Sequence, residues 1–124
     1  MRLIIAGCRD FTNADAVNVA ACEAIAKFGL GWPSEIVSGG ASGVDSLGEE
    51  WARSQGIPIM RFPADWKRWG RSAGPHRNAG MAKYADALVA IWDGKSRGTG
   101  HMIGVMSAFG KPVHVHRFAR ETKP

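Results

Sequence analysis

Two glycine-dense stretches, "SGGASGVD" at 38–45 and "DGKSRGTGH" at 93–101, carry the residue types that hold an anion. Glycine lets a backbone approach a ligand closely. A strand-to-helix turn leaves the first N–H groups of the helix without partners, at the positive end of its dipole, and phosphate suits both conditions. The expected contacts are Ser38, Gly39, Gly40, Ser42 and Gly43 in the first stretch, and Lys95, Ser96, Arg97, Gly98, Thr99 and Gly100 in the second. Either loop alone is equally well explained as a tight capped turn; two on one rim favour the anion. Asp45 falls in a first helical turn, where a carboxylate complements the dipole or accepts an internal hydrogen bond.

Those loops need elements to position them. Leu3–Ala6, Glu35–Ser38, Pro58–Phe62, Ala87–Trp92 and Val113–His116 read as five short strands, most of them continuous apolar runs of the kind buried on both faces of a parallel sheet. Between them run helical patterns: one capped by Asn13 and stopped by Gly29, one from Val44 to Gly56, one from Pro75 to Tyr84, and one carrying Met102, Ile103, Met106 and Phe109. The segment "PADWKRWGRSAG" is expected to be irregular. Alternating strands and helices indicate an α/β fold, a single Rossmann-like doubly wound and mainly parallel five-stranded sheet with helices on both faces. Ligands in such sheets bind outside the carboxyl ends of the strands. That places Gly7, Cys8, Arg9 and Asp10 beside the two glycine loops.

A chain of 124 residues, 45% hydrophobic and 22% charged, suits one soluble domain. The domain is expected over 1–117, with a basic, solvated tail at 118–124 holding Arg120 and Lys123 close to Arg117. Apolar runs are too short to span a membrane and the start shows no leader pattern, so a cytoplasmic location and no membrane partner are expected. Cys8 and Cys22 match no metal or redox spacing. Cys8 has no paired base in view and reads as a buried structural thiol. His114 and His116 share one strand face without the neighbours that complete a metal site, and an exposed face is expected; no metal and no cofactor are assigned. His101, beside the second loop, reads equally as a phosphate contact or a surface residue. The formal charge of +5 invites a polyanion. Arg61, Lys67, Arg68, Arg71 and Arg77 cluster around Trp66 and Trp69, which suit either base stacking or packing at a sheet edge or between copies.

"SGGASGVD", "AGPHRNAGM" and "DGKSRGTGH" together resemble the signature segments of the YspA/cpYpsA-related branch of the SLOG superfamily, whose relatives include DprA and the Lonely Guy phosphoribohydrolases. The resemblance extends from Gly7 to Val115 and implies a Rossmann-like domain that binds a nucleotide-derived ligand. It carries the family's glycine loop onto Gly39, Gly40 and Gly43, its early arginine onto Arg9, its Arg-Asn pair onto Arg77 and Asn78, and its Gly-Thr element onto Gly98 and Thr99. A guanidinium suits bidentate phosphate contact, and an amide offers both donors and an acceptor. Where the Lonely Guy pattern supplies a catalytic glutamate, this chain has Met102, whose thioether cannot accept a proton. No catalytic residue is assigned; a hydrolase here would have to use Asp10, Asp45 or Asp93. The expected partner is a nucleotide-derived small molecule of ADP-ribose-like or cyclic nucleotide type, captured by a sensor or sequestering module. An N-glycosidase or phosphohydrolase acting on such a nucleotide is the alternative, and single-stranded nucleic acid is a weaker candidate. A homo-oligomer is compatible with all of these.

Overall fold

All five expected strands form, paired in parallel in the order β3-β2-β1-β4-β5. The computed structural model describes residues 1–120. The strands are β1 (Arg2–Gly7), β2 (Glu35–Ser38), β3 (Ile59–Arg61), β4 (Ala87–Trp92) and β5 (Val113–Arg117). The helices are α1 (Ala14–Phe28), α2 (Val44–Ser54), α3 (Trp66–Trp69), α4 (Ala73–Tyr84) and α5 (Arg97–Ala108).

Side chains alternate across a strand. Leu3 and Ile5 of β1 therefore face α1 and α2, in a core with Val17, Ala21, Val44 and Ala52, while Ile4 and Ala6 face α4 and α5, in a second core with Met81, Ala82, Met102 and Met106. This is the doubly wound α/β arrangement read from the sequence. Among the described residues no helix is long and apolar enough to cross a membrane.

Local chemistry sets the boundaries. The Asn13 side chain accepts the Ala16 N–H at 3.1 Å, and Gly29, at φ 63°, ends α1 in the left-handed region. Helix α4 starts at Ala73, two residues before Pro75; proline is tolerated there because first-turn N–H groups need no intrahelical acceptor. The segment expected to be irregular contains α3, capped by Asp65, which accepts the Arg68 N–H at 3.1 Å, and a 3₁₀ turn at Gly70–Ser72. Edge strand β3 is shorter than expected, though Pro58 O and Phe62 N still bond to β2.

Two surface expectations change. His114 is not exposed: β5 packs on α1, and His114 Nε2 lies 3.6 Å from Glu23 Oε2, buried and without a hydrogen bond. Nor are Arg117 to Arg120 a loose basic tail. Phe118 N donates to Trp92 O at 3.1 Å, its ring meets Phe11 at 4.8 Å, and Arg120 is anchored by two carboxylates. Lys123 lies outside the described residues.

From β1 the chain builds outward to β2 and β3, then returns to β4 on the other side of β1 and continues to β5. The order reverses between β1 and β4, so the loops leaving their carboxyl ends diverge and open a crevice. Loops 8–13, 39–43 and 93–96 and the start of α4 converge around it.

Candidate functional site

The first glycine loop is rooted in a buried polar pair. Ser38, only 1% exposed, donates its hydroxyl to Glu49 Oε2 at 2.7 Å and accepts the Gly40 N–H at 3.1 Å. Burial pushes the Glu49 carboxyl up, but hydrogen bonds from Arg61 and Ser38 outweigh it and hold the group below its usual range. Ser38 is thus turned inward, away from any ligand. Sequence reasoning missed Glu49; the available signal was its place four residues after Asp45, on the same face of α2.

Two of the loop's glycines make room for the protein's own groups. A Cβ on Gly39 would stand 2.5 Å from Arg77 Nη1 and 2.8 Å from Asp45 Oδ2; one on Gly43, at φ 73°, would stand 2.3 Å from Cys8 O. Gly40 and Ser42 are the exposed members of the loop.

Asp45 is buried, and its Oδ2 accepts the Ala41 N–H at 3.2 Å. A carboxylate from α2 therefore occupies the inner side of the loop, as an internal acceptor. Burial pushes its pKa up to about 6, against the opposing pull of the Ala41 N–H and Arg77.

Helix α4 ties the two loops together. Arg77 Nη1 donates to Gly39 O at 2.8 Å and its Nε to Asn78 Oδ1 at 3.1 Å. The Asn78 amide donates to Gly98 O at 3.3 Å and meets His101 Nδ1 at 3.1 Å. With Nδ1 accepting from that amide, the neutral His101 ring carries its proton on Nε2. Burial lowers the Arg77 pKa; Asp45 opposes this, and the neighbouring Arg9 adds to it.

The second loop is organised by Asp93. Its Oδ1 accepts the N–H groups of Lys95 and Ser96 at 2.9 and 2.8 Å, and its Oδ2 receives Arg120 Nε at 2.8 Å. Arg120 also holds both Asp10 oxygens, at 2.8 and 2.9 Å. Hydrogen bonds from Arg120 keep Asp10 and Asp93 below the ordinary carboxylate range. Cys8, buried as expected, places its Sγ 3.2 Å from Ser96 Oγ and so joins the β1 loop to this one. Ser96 caps α5 without a side-chain bond, which leaves the N–H groups of Arg97, Gly98 and Thr99 with no acceptor in the helix.

Two cavities adjoin these loops. The first, of about 580 Å³, is lined by Gly7, Arg9, Arg77, Asn78, Ser96, Arg97, Gly98 and Thr99 among the expected residues, together with Asp45, His101 and Met102. The second, of about 620 Å³, is lined by Gly39, Gly40 and Ser42, with Arg61 and Trp66. Arg9, Ala41 and Arg77 line both. Ser38, Gly43, Lys95 and Gly100 line neither. The arrangement can hold an anion and offers one titrating carboxyl, Asp45, not tied by Arg120. Met102 is 1% exposed in the wall of the first cavity.

The profile of the YspA, cpYpsA-related SLOG family matches residues 1–69, from β1 through α3, which includes the first glycine loop but not the segments at 73–81 and 93–101. A second comparison extends further. The chain is 31% identical to the gene 61 protein of Mycobacterium phage D29 over 118 residues, covering 90% of this chain and 93% of that protein. No solved structure matches the chain. The chain belongs to the YspA, cpYpsA-related SLOG family, and this membership gives it a nucleotide-related binding or modifying role.

Proposed function

We propose that the protein binds a nucleotide-derived ligand, ADP-ribose-like or a cyclic nucleotide, and serves as a sensor or sequestering module with the ligand phosphate beside Arg9 and Arg77. One observation carries the reading. Two like-charged guanidiniums line the wall shared by two cavities, and the carboxyl beside them, Asp45, is half-protonated near pH 6. An anion relieves their repulsion and gains charge-assisted hydrogen bonds. The free N–H groups at the start of α5 add donors on the far side of the first cavity.

Asp45 also favours a second reading, hydrolysis of the same ligand, because a cavity carboxyl near pH 6 is matched to proton transfer. Met102 in that cavity, and the ties on Asp10 and Asp93, favour holding over cutting. Single-stranded DNA is a weaker partner, since Arg61 is engaged by Glu49 and Trp69 by His76. Native mass spectrometry of the protein with added ADP-ribose or cyclic nucleotide tests these readings: capture predicts one intact ligand per chain. Released base or phosphate supports the enzyme, and finding neither a bound ligand nor a released product overturns both.

A further inference from the structure

The second cavity differs from the first in having an unoccupied aromatic face. Trp66 and Trp69 belong to the same short helix but have different surroundings. Trp69 is stacked on His76, with ring centroids 3.8 Å apart and planes at 24°, and Arg68 lies over it at 4.9 Å. Trp66 is 53% exposed, lines the second cavity, and has no ring or cation partner among the described residues. The short helix that carries it is capped by Asp65, and Arg61, which lines the same cavity, has its guanidinium fixed on Glu49.

We infer that this cavity is a base subsite, in which the ligand's base stacks on Trp66 while its phosphates lie at Arg9 and Arg77 and the remainder continues into the first cavity. The inference rests on the phosphate seat proposed above and specifies the ligand class: a nucleotide carrying a substituent on each side of its phosphates, such as a nucleoside diphosphate sugar or a dinucleotide. Each cavity has the size of a small-molecule site. The guanidiniums occupy the boundary between them, so a ligand with its charge in the middle and a group at each end uses both. A mononucleotide fills one side only. An indole face stacks on any base, so Trp66 supplies affinity with little selectivity among bases.

The test measures ADP-ribose, AMP, ribose 5-phosphate and a ten-residue oligothymidylate by calorimetry against the wild type, Trp66→Ala, Trp66→Phe and Arg9→Ala. Trp66 is exposed, so its variants should keep the wild-type melting temperature. The expected result is that ADP-ribose binds more tightly than AMP or ribose 5-phosphate. Trp66→Ala should weaken ADP-ribose and AMP by about 5- to 100-fold and leave ribose 5-phosphate unchanged. Trp66→Phe should recover most of that affinity. If Trp66→Ala binds ADP-ribose as the wild type does while Arg9→Ala weakens all three small ligands, the base subsite is wrong and the phosphate seat stands. If AMP binds as tightly as ADP-ribose, the two-sided ligand class is wrong. Tighter, Trp66-dependent binding of the oligothymidylate replaces the small ligand with a nucleic-acid strand. If no probe binds, both the subsite and the seat fail.

Discussion

Arg77 and Asn78, neighbours in α4, each hold a different glycine loop: Arg77 Nη1 donates to Gly39 O at 2.8 Å and the Asn78 amide to Gly98 O at 3.3 Å. Two adjacent side chains from one helix thereby tie together the loops that follow β2 and β4, on either side of the crevice. Their first task is to preorganise the loops, before any contact with a ligand.

Replacing Asn78 with Ala leaves Gly98 O and His101 Nδ1 without their amide partner. The expected cost in unfolding free energy is about 1–3 kcal/mol, with faster amide exchange in residues 93–101. Urea denaturation and hydrogen exchange measure the two effects. Unchanged exchange in the second loop would mean that α4 does not organise it.

Ser38 was expected to touch the ligand and instead supports the loop from beneath. Ser38→Ala removes the acceptor of the Gly40 N–H and the donor to Glu49, and should destabilise the fold by about 1–3 kcal/mol. Ligand affinity at temperatures well below unfolding should fall by less than it does for a change at Arg9. Unaltered stability with strongly weakened binding would restore Ser38 to the ligand's own contacts.

Asp45 should make stability depend on pH with a defined sign. Its folded pKa of about 6 lies above the ordinary 3.8, so the folded state holds the proton more tightly than the unfolded state. The contribution is therefore present below about pH 4 and is lost as pH rises toward about 6, amounting to about 3 kcal/mol. Asp45→Asn keeps an acceptor for the Ala41 N–H and removes the charge. The variant should match the wild type near pH 4 and exceed it by that amount at pH 7, as read by denaturant unfolding at both values. A variant less stable at pH 7 would contradict a carboxylate whose burial outweighs the pull of Arg77 and the Ala41 N–H.

The same carboxyl should couple binding to pH. Arg77, Arg9, Glu49 and the Ala41 N–H face it, and a phosphate seated beside the two arginines adds negative charge to that set. ADP-ribose keeps its diphosphate charge across this range, so its affinity should fall as pH rises through about 6, by up to about tenfold per unit. In Asp45→Asn the slope should vanish. A slope that persists in the variant assigns the proton to another group.

Much of the fold was legible because strands buried on both faces must be apolar runs, as "LIIA" and "ALVAIW" are. Helix α3 was not, because four residues with no buried side chain leave no periodicity to read. Arg120 was read as a solvated tail charge because its partners Asp93 and Asp10 lie 27 and 110 residues away. The glycine loops were found, but sequence does not say whose atoms a missing Cβ admits. At Gly39 those atoms belong to Arg77 and Asp45, and at Gly43 to the β1 loop. Glu49 went unseen because its partners, Ser38 and Arg61, come from strands that meet α2 only in the folded sheet.

The central claim is an anion seat between Arg9 and Arg77, and Arg9 is the better probe because Arg77 also holds Gly39 in place. Titration of ADP-ribose into the wild type and Arg9→Ala by calorimetry, with melting temperatures taken in parallel, tests it most directly. The account predicts one site per chain in the wild type. In the variant it predicts affinity lower by at least about tenfold, in keeping with the loss of charge-assisted hydrogen bonds, and an unchanged melting temperature. Equal affinity in the two proteins would contradict it.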